Sequence, residues 1–290
     1  MRKIGEFSRI IAGTMTWGPW GKNFSTPQSI EMMWHCVEQG MSSFDLADIY
    51  GSYTNESAFG KALAKSGLER GKIQLTSKCG IQLTKGRDNG INHYQYDRDY
   101  IIRSAEGALR NLNTDYLDLF LLHRPSPLMD PAEVAGAIVP LLESGKIRRF
   151  GVSNFSPSQI AMLETLIPVE ANQIEFSLTC PEPMYDGNLD DMIAHQRIAM
   201  AWSPLGIFHR EESPRTQRIR KAMGPLMEKY AANESQLLLA WILRHPAQVH
   251  PVVGTTDKER IRLSAEAARI ELELQDWFVL LKASQGHDVP

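Results

Sequence analysis

Cysteine is scarce in this chain: Cys36, Cys79 and Cys180 are the only three in 290 residues, and none stands in a CxxC or other metal-ligand spacing. An odd, unclustered set argues against a disulfide framework and fits a reducing compartment, so a cytoplasmic protein with no bound metal is expected. Cys79 reads as a packed thiol, because no base is evident beside it. Long apolar runs are missing as well. No stretch approaches the roughly 20 residues of a membrane span, and the opening MRKIGEFSRIIAGTM lacks an apolar core followed by a small-residue cleavage site. Charge of one sign is also in short supply: the formal net charge of −3 excludes a broadly basic nucleic-acid surface. The run from Arg215 to Lys221 reads as a solvated face. No GxGxxG follows the first apolar run, which disfavours a Rossmann domain. There is no linker, no low-complexity segment and no internal repeat beyond a β/α unit.

What the chain does have is alternation. Short apolar runs that suit buried parallel strands (RIIAGTM, SSFDLA, IQLTSK, YLDLFLLH, RRFGVSN, VEANQIEF, IAMAWSP, VHPVVG) alternate with longer amphipathic stretches. About eight such units with short connections, in a chain whose 43% hydrophobic content can fill one sizeable core, predict one domain over residues 1–290. The fold class is α/β, a (β/α)8 TIM barrel. Thr26, Asp130 and Ser156 each precede a proline and are placed to cap helices, which Gly40 and Gly145 are placed to end. Longer connections at 80–96 and 206–225, with the tail after Glu273, are the candidate substrate walls.

Barrel strand ends converge on one rim, so Asp45, Tyr50, Lys78 and His123, each at or just after the end of an apolar run, become neighbours. Their chemistry is complementary. A free phenol, with a pKa near ~10, is a poor acid at neutral pH, and an adjacent Lys78 ammonium favours phenolate and is expected to bring Tyr50 down. Asp45 holds Lys78 as ammonium. His123 can donate to a carbonyl oxygen beside the Tyr50 hydroxyl. Trp17, ahead of His93, Tyr94 and Phe208, is the candidate lining of the substrate pocket.

These residues resemble the strand-end signature of the aldo-keto reductase family, in its bacterial oxidoreductase subgroup. FDLADIYG, TSKCG and LDLFLLHRP carry the four polar residues; GVSNF, NQIEF, AWSPLG and VVGTTDKERI extend the likeness from about Gly13 to the final helix. The resemblance implies a barrel that binds NADPH/NADP+ and reduces a small-molecule aldehyde or ketone to an alcohol, as a monomer. It implies catalytic roles for Asp45, Tyr50, Lys78 and His123. It places Ser153, Asn154 and Gln173 on the nicotinamide carboxamide and Trp202 against the ring, where the family usually has tyrosine. Ser203 joins the cofactor set, and backbone contacts to the cofactor are expected from Gly13, Thr14, Leu205 and Gly206. The 2′-phosphate falls to Gly254, Thr255, Thr256 and Arg260, at a helix start whose free N–H groups favour an anion. Gly254 stands where many members carry lysine, and Leu263 and Ser264 stand where Glu and Asn often grip the adenine. Two other readings stay open: a cofactor-sensing regulatory subunit with slow turnover, and a lyase using Lys78 as a Schiff base.

Overall fold

The structure, a computed structural model, describes residues 7–288. Its strands are β1 (Ile11–Gly13), β2 (Ser43–Asp45), β3 (Gln74–Cys79), β4 (Ile81–Gln82), β5 (His93–Tyr94), β6 (Leu119–Leu122), β7 (Phe150–Ser153), β8 (Ala171–Glu175), β9 (Ile198–Trp202) and β10 (His250–Val253). Strands β4 and β5 form an antiparallel hairpin, and the other eight close a barrel whose adjacent strands are parallel, with β1 pairing β10. The helices between them are α1 (Thr26–Glu38), α2 (Asn55–Ser66), α3 (Arg98–Leu112), α4 (Pro131–Glu143), α5 (Pro157–Glu164), α6 (Asn188–Ala194), α7 (Pro214–Tyr230), α8 (Glu234–Leu243), α9 (Lys258–Glu266) and the closing α10 (Leu274–Gln285). Among the described residues no helix is long and apolar enough to cross a membrane.

Strand side chains alternate, so each strand feeds two cores. Residues such as Phe44, Leu75, Phe120 and Val152 face the helices in one large apolar layer. Ile11, Leu119, Leu121, Ala171, Met200 and Val252 make a small cluster with Phe7 inside the barrel. Two residues beyond that inner set, the same parity delivers Gly13, His123, Gln173, Trp202 and Gly254; Asp45 and Ser153 lie level with Gly13 and Gln173, while Lys78 pairs with Leu121 and so stands at the boundary of the apolar set. The inward faces change from apolar to polar towards the strand exits, and that rim is the site.

Three sequence expectations change. The cap of α1 is Ser25, whose N–H donates to Gln28 Oε1 (2.9 Å), and Thr26 is already helical. Asp130 and Ser156 do cap α4 and α5. The connection expected at 206–225 is half helix: Ser213 accepts from the Thr216 N–H, Pro214 opens α7, and Pro225 lies within it. A left-handed Ala231 (φ 48°) then separates α7 from α8. The tail after Glu273 is α10, whose Trp277 stacks on Trp241 with centroids 4.9 Å apart, so most of it packs on helices rather than walling a pocket. The cations of 215–221 are engaged locally, Arg215 with Thr179 O and Arg220 with Glu212 and Glu234.

Candidate active site

Asp45 ends β2, Lys78 is the penultimate residue of β3, and His123 directly follows β6; all three are buried. Lys78 Nζ donates to Asp45 Oδ1 (2.6 Å), to Leu46 O (2.7 Å) and to the Tyr50 hydroxyl (3.4 Å). Tyr50 sits on the turn between β2 and α2, its ring 6.1 Å from that of His123. The structure therefore brings the four predicted residues into one constellation. Burial opposes the Lys78 ammonium, but Asp45 and then Tyr50 outweigh it and hold its pKa above the ordinary lysine value. A lysine so protonated is no nucleophile, which disfavours the Schiff-base reading.

Tyr50 departs from expectation. Burial raises its pKa; Lys78 pulls it down, yet the net direction is up. At neutral pH the phenol keeps its proton, and the ammonium 3.4 Å away stabilises the phenolate once that proton leaves. His123 is held well below the ordinary histidine value by burial, then by Lys78 and Arg124. It is a neutral imidazole whose Nδ1 is buried without a partner. In the Nε2–H tautomer the ring keeps its one donor for the chamber and leaves a bare lone pair inside.

Gln173, expected on the carboxamide, donates from Nε2 to Asp45 Oδ2 (2.7 Å) across the barrel. Only its Oε1 remains for a ligand. Ser153 Oγ donates to Gln173 O (2.8 Å) and accepts from Asn154 Nδ2 (2.9 Å), while Trp202 Nε1 donates to Asn154 Oδ1 (3.0 Å). Asn154 (φ 59°) and Ser203 (φ 48°) are left-handed at the exits of β7 and β9, strain of a kind that collects at functional sites.

A cavity of about 810 Å³ opens at the exits of β9 and β10 and is lined by Ser203, Leu205, Gly206, Gly254, Thr255 and Arg260, among others. Gly206 (φ 55°) lies so close to the connection after β8 that an added Cβ would stand 1.8 Å from Thr179 Oγ1, so only glycine fits there. Sequence reasoning missed His209, Arg210, Ser235 and Gln236 on the opposite wall, and Leu263 and Ser264 line it too. Thr256 does not line it. Thr14 is a correction: its N–H and hydroxyl both donate to Asp45 O (3.0 and 2.9 Å) and its carbonyl accepts from Asn55 Nδ2 (2.9 Å), so it braces β2 rather than offering groups to a ligand. Trp17 is another. Its ring is 4% exposed and packs among Phe24, Phe44 and Phe59 outside the barrel, because Phe44 faces the helices. Trp20, three residues on and 40% exposed, stands 6.2 Å from the Tyr50 ring instead. Phe208 is core, and His93 and Tyr94 are exposed on the hairpin. Cys79 is buried, which pushes its thiol well above the ordinary range.

Behind Tyr50, two further buried carboxyls brace the turn. Tyr100 OH donates to Asp48 Oδ2 (3.3 Å) and Ser77 OH to Glu56 Oε1 (2.6 Å). Burial, then Glu56, pushes Asp48 from 3.8 up to about 7. A carboxyl with a raised folded-state pKa is protonated in the folded chain while already ionised in the unfolded one, so stability falls as pH rises from about 4 to about 7. Asp48→Asn removes that dependence. Chemical denaturation should show a gain that grows over this window and levels off on the order of 4 kcal/mol; parallel pH profiles for variant and wild type refute it.

Known proteins resemble this chain over almost its whole length. The model of the Aldo/keto reductase family matches residues 9–280. Oxidoreductase YdhF of Escherichia coli is 41% identical over 288 residues, spanning 98% of this chain and 96% of its own length. A 6-dehydroglucose reductase of Agrobacterium fabrum is 36% identical over 295 residues, covering 98% and 96%. The crystal structure of an aldo-keto reductase from Klebsiella pneumoniae in complex with NADPH superposes with a TM-score of 0.77 at 25% identity, covering 98% of this chain and 92% of that one. With the closed barrel, the strand-end constellation and a family match over almost its full length, this chain belongs to the aldo/keto reductase family.

Proposed function

We propose that this chain reduces an aldehyde or ketone to an alcohol with NADPH as hydride donor, as one barrel domain, with Tyr50 as general acid. The observation that carries this reading is the buried Asp45–Lys78–Tyr50 chain beside a neutral His123. The cleft suits the cofactor on its own chemistry: Arg260 offers an exposed guanidinium next to the first turn of α9, Thr255 a hydroxyl, and Gly206 a stretch of wall without a side chain. Ser153, Asn154 and the free Oε1 of Gln173 fit a carboxamide, and Trp202 a flat ring. Held there, the reduced nicotinamide would supply the hydride for the carbonyl carbon.

The chain's own residues do the rest. His123 and the Tyr50 hydroxyl point donors at the carbonyl oxygen and fix its position. Tyr50 hands its proton to that oxygen as negative charge develops there. Lys78 stabilises the phenolate left behind, Asp45 keeps Lys78 charged, and Gln173 keeps Asp45 aimed.

Following absorbance at 340 nm with NADPH and a panel of aldehydes tests the reading. Turnover supports it. Tight NADPH binding, read by tryptophan fluorescence, without turnover of any aldehyde would favour the sensing subunit instead. Arg260→Ala is expected to raise Kd for NADPH roughly 10–100-fold, as for a charged hydrogen-bonded contact to phosphate. NADH, which lacks that phosphate, should lose much less; equal losses remove Arg260 from the phosphate clamp.

A further inference from the structure

Arg124 follows the catalytic histidine directly, and neither the mechanism above nor the cofactor cradle uses it. Its Nη1 donates to His123 O (3.0 Å) and to Ser153 Oγ (3.3 Å), and its guanidinium carbon stands 5.3 Å from the centroid of the Trp202 ring. It thus reaches from the end of β6 past β7 to β9, on the rim that also carries His123. Its positive charge bears on both of those residues, favouring phenolate at Tyr50 and opposing protonation at His123.

Among the described residues no carboxylate pairs with it. Nη1 is, among the described residues, its only nitrogen with a hydrogen-bond partner, and no acidic side chain among them lies within ion-pair distance. A guanidinium carries five N–H donors, so most of this one's capacity is unspent. The surrounding charges add up simply. Lys78 and Asp45 neutralise each other, Tyr50 keeps its proton and His123 is neutral, which leaves the chamber with one uncompensated positive charge. A partly desolvated cation of this kind favours an anion with flat, paired acceptors. The exposed Trp20 supplies an apolar wall beside Tyr50.

Resting on the reductase reading above, we propose that Arg124 is a substrate-binding residue that selects carbonyl compounds bearing a carboxylate near the aldehyde or ketone. The carboxylate accepts from the unspent N–H groups of Arg124 while the carbonyl oxygen meets Tyr50 and His123. A neutral polyhydroxy aldehyde could use the same donors but gains nothing from the charge, and that difference separates the two.

The test compares 3- and 4-carboxybenzaldehyde with the isosteric 3- and 4-formylbenzamide, which differ in charge but little in shape. With wild-type protein and NADPH, kcat/KM for one acid at least should exceed that of its amide by roughly tenfold or more, as for a hydrogen bond to a charged group. Arg124→Gln should collapse that ratio towards one, and Arg124→Lys, which keeps the charge without the fork, should leave an intermediate value. NADPH affinity, read by tryptophan fluorescence, accompanies each variant. A wild-type ratio near one, or a ratio that survives in Arg124→Gln, overturns the proposal while leaving the reductase reading intact. Weakened NADPH binding with an unmoved ratio overturns it in favour of a cofactor contact. Absence of turnover with all four aldehydes, and with the wider panel, sinks both.

Discussion

Replacing Tyr50 by phenylalanine is expected to lower kcat for carbonyl reduction roughly 10²–10⁴-fold, the range spanned by a positioned general acid, while NADPH affinity stays within about twofold. The ring remains, so its packing against Trp20 and His123 survives and only the proton is lost. Steady-state rates at 340 nm and cofactor titration by fluorescence measure the two quantities separately; a variant that keeps most of its kcat removes Tyr50 from the acid role. The pH dependence follows from the same hydroxyl. Reduction needs the phenol protonated, and burial raises its folded-state pKa, so the rate should hold up to at least the ordinary tyrosine value of about 10 and fall beyond it. Lys78→Met removes the group that pulls this pKa down. It should move the alkaline limb further up and slow alcohol oxidation, which requires phenolate, more than it slows reduction.

Asp45→Asn should be the most damaging of the conservative changes to stability. The carboxylate takes Lys78 Nζ on one oxygen and Gln173 Nε2 on the other, with both side chains buried. An amide leaves the Lys78 ammonium without its counter-charge, and breaking a buried pair in this way costs about 3–5 kcal/mol. For a domain of this size that corresponds to a fall in Tm of roughly 5–8 °C by differential scanning calorimetry. In the variant Lys78 loses its leading support against desolvation, so its pKa drops and a larger share of it is neutral near pH 8. A Tm within 2 °C of wild type would mean that the ion pair contributes little.

The barrel was legible because its signal is periodic: apolar runs at strand spacing, interrupted by longer amphipathic stretches, leave few architectures open. The constellation was legible for a related reason. Asp45, Lys78 and His123 stand at strand ends, and in a parallel barrel the end of a strand is a defined place. Residues on loops had no such anchor. Trp17 and Trp20 lie in one connection, and only the packing of Trp17 against Phe44 and Phe59 decides which of them faces Tyr50. Thr14 was misjudged because hydrogen bonding to Asp45 O is a tertiary fact. The direction of the Tyr50 pKa was hidden too, since Lys78 is visible as a charge in sequence whereas the depth of burial that outweighs it is not. Pro225 reads as a breaker in sequence, yet α7 continues through it. His209, Arg210 and Ser235 carry no motif and are recognised only as walls of the cleft.

The hydrogen bond from Gln173 to Asp45 also bears on how the molecule folds. Its two ends lie 128 residues apart, on β8 and β2, strands that touch only through the closed cylinder. A contact of that separation carries a large loop-closure entropy and forms late, after the local β/α units have assembled. The constellation is therefore a read-out of closure. A half-barrel ending before β8 can hold Lys78 against Asp45 but leaves one carboxylate oxygen without Gln173, and during refolding from denaturant the return of activity should lag behind the return of helical circular dichroism.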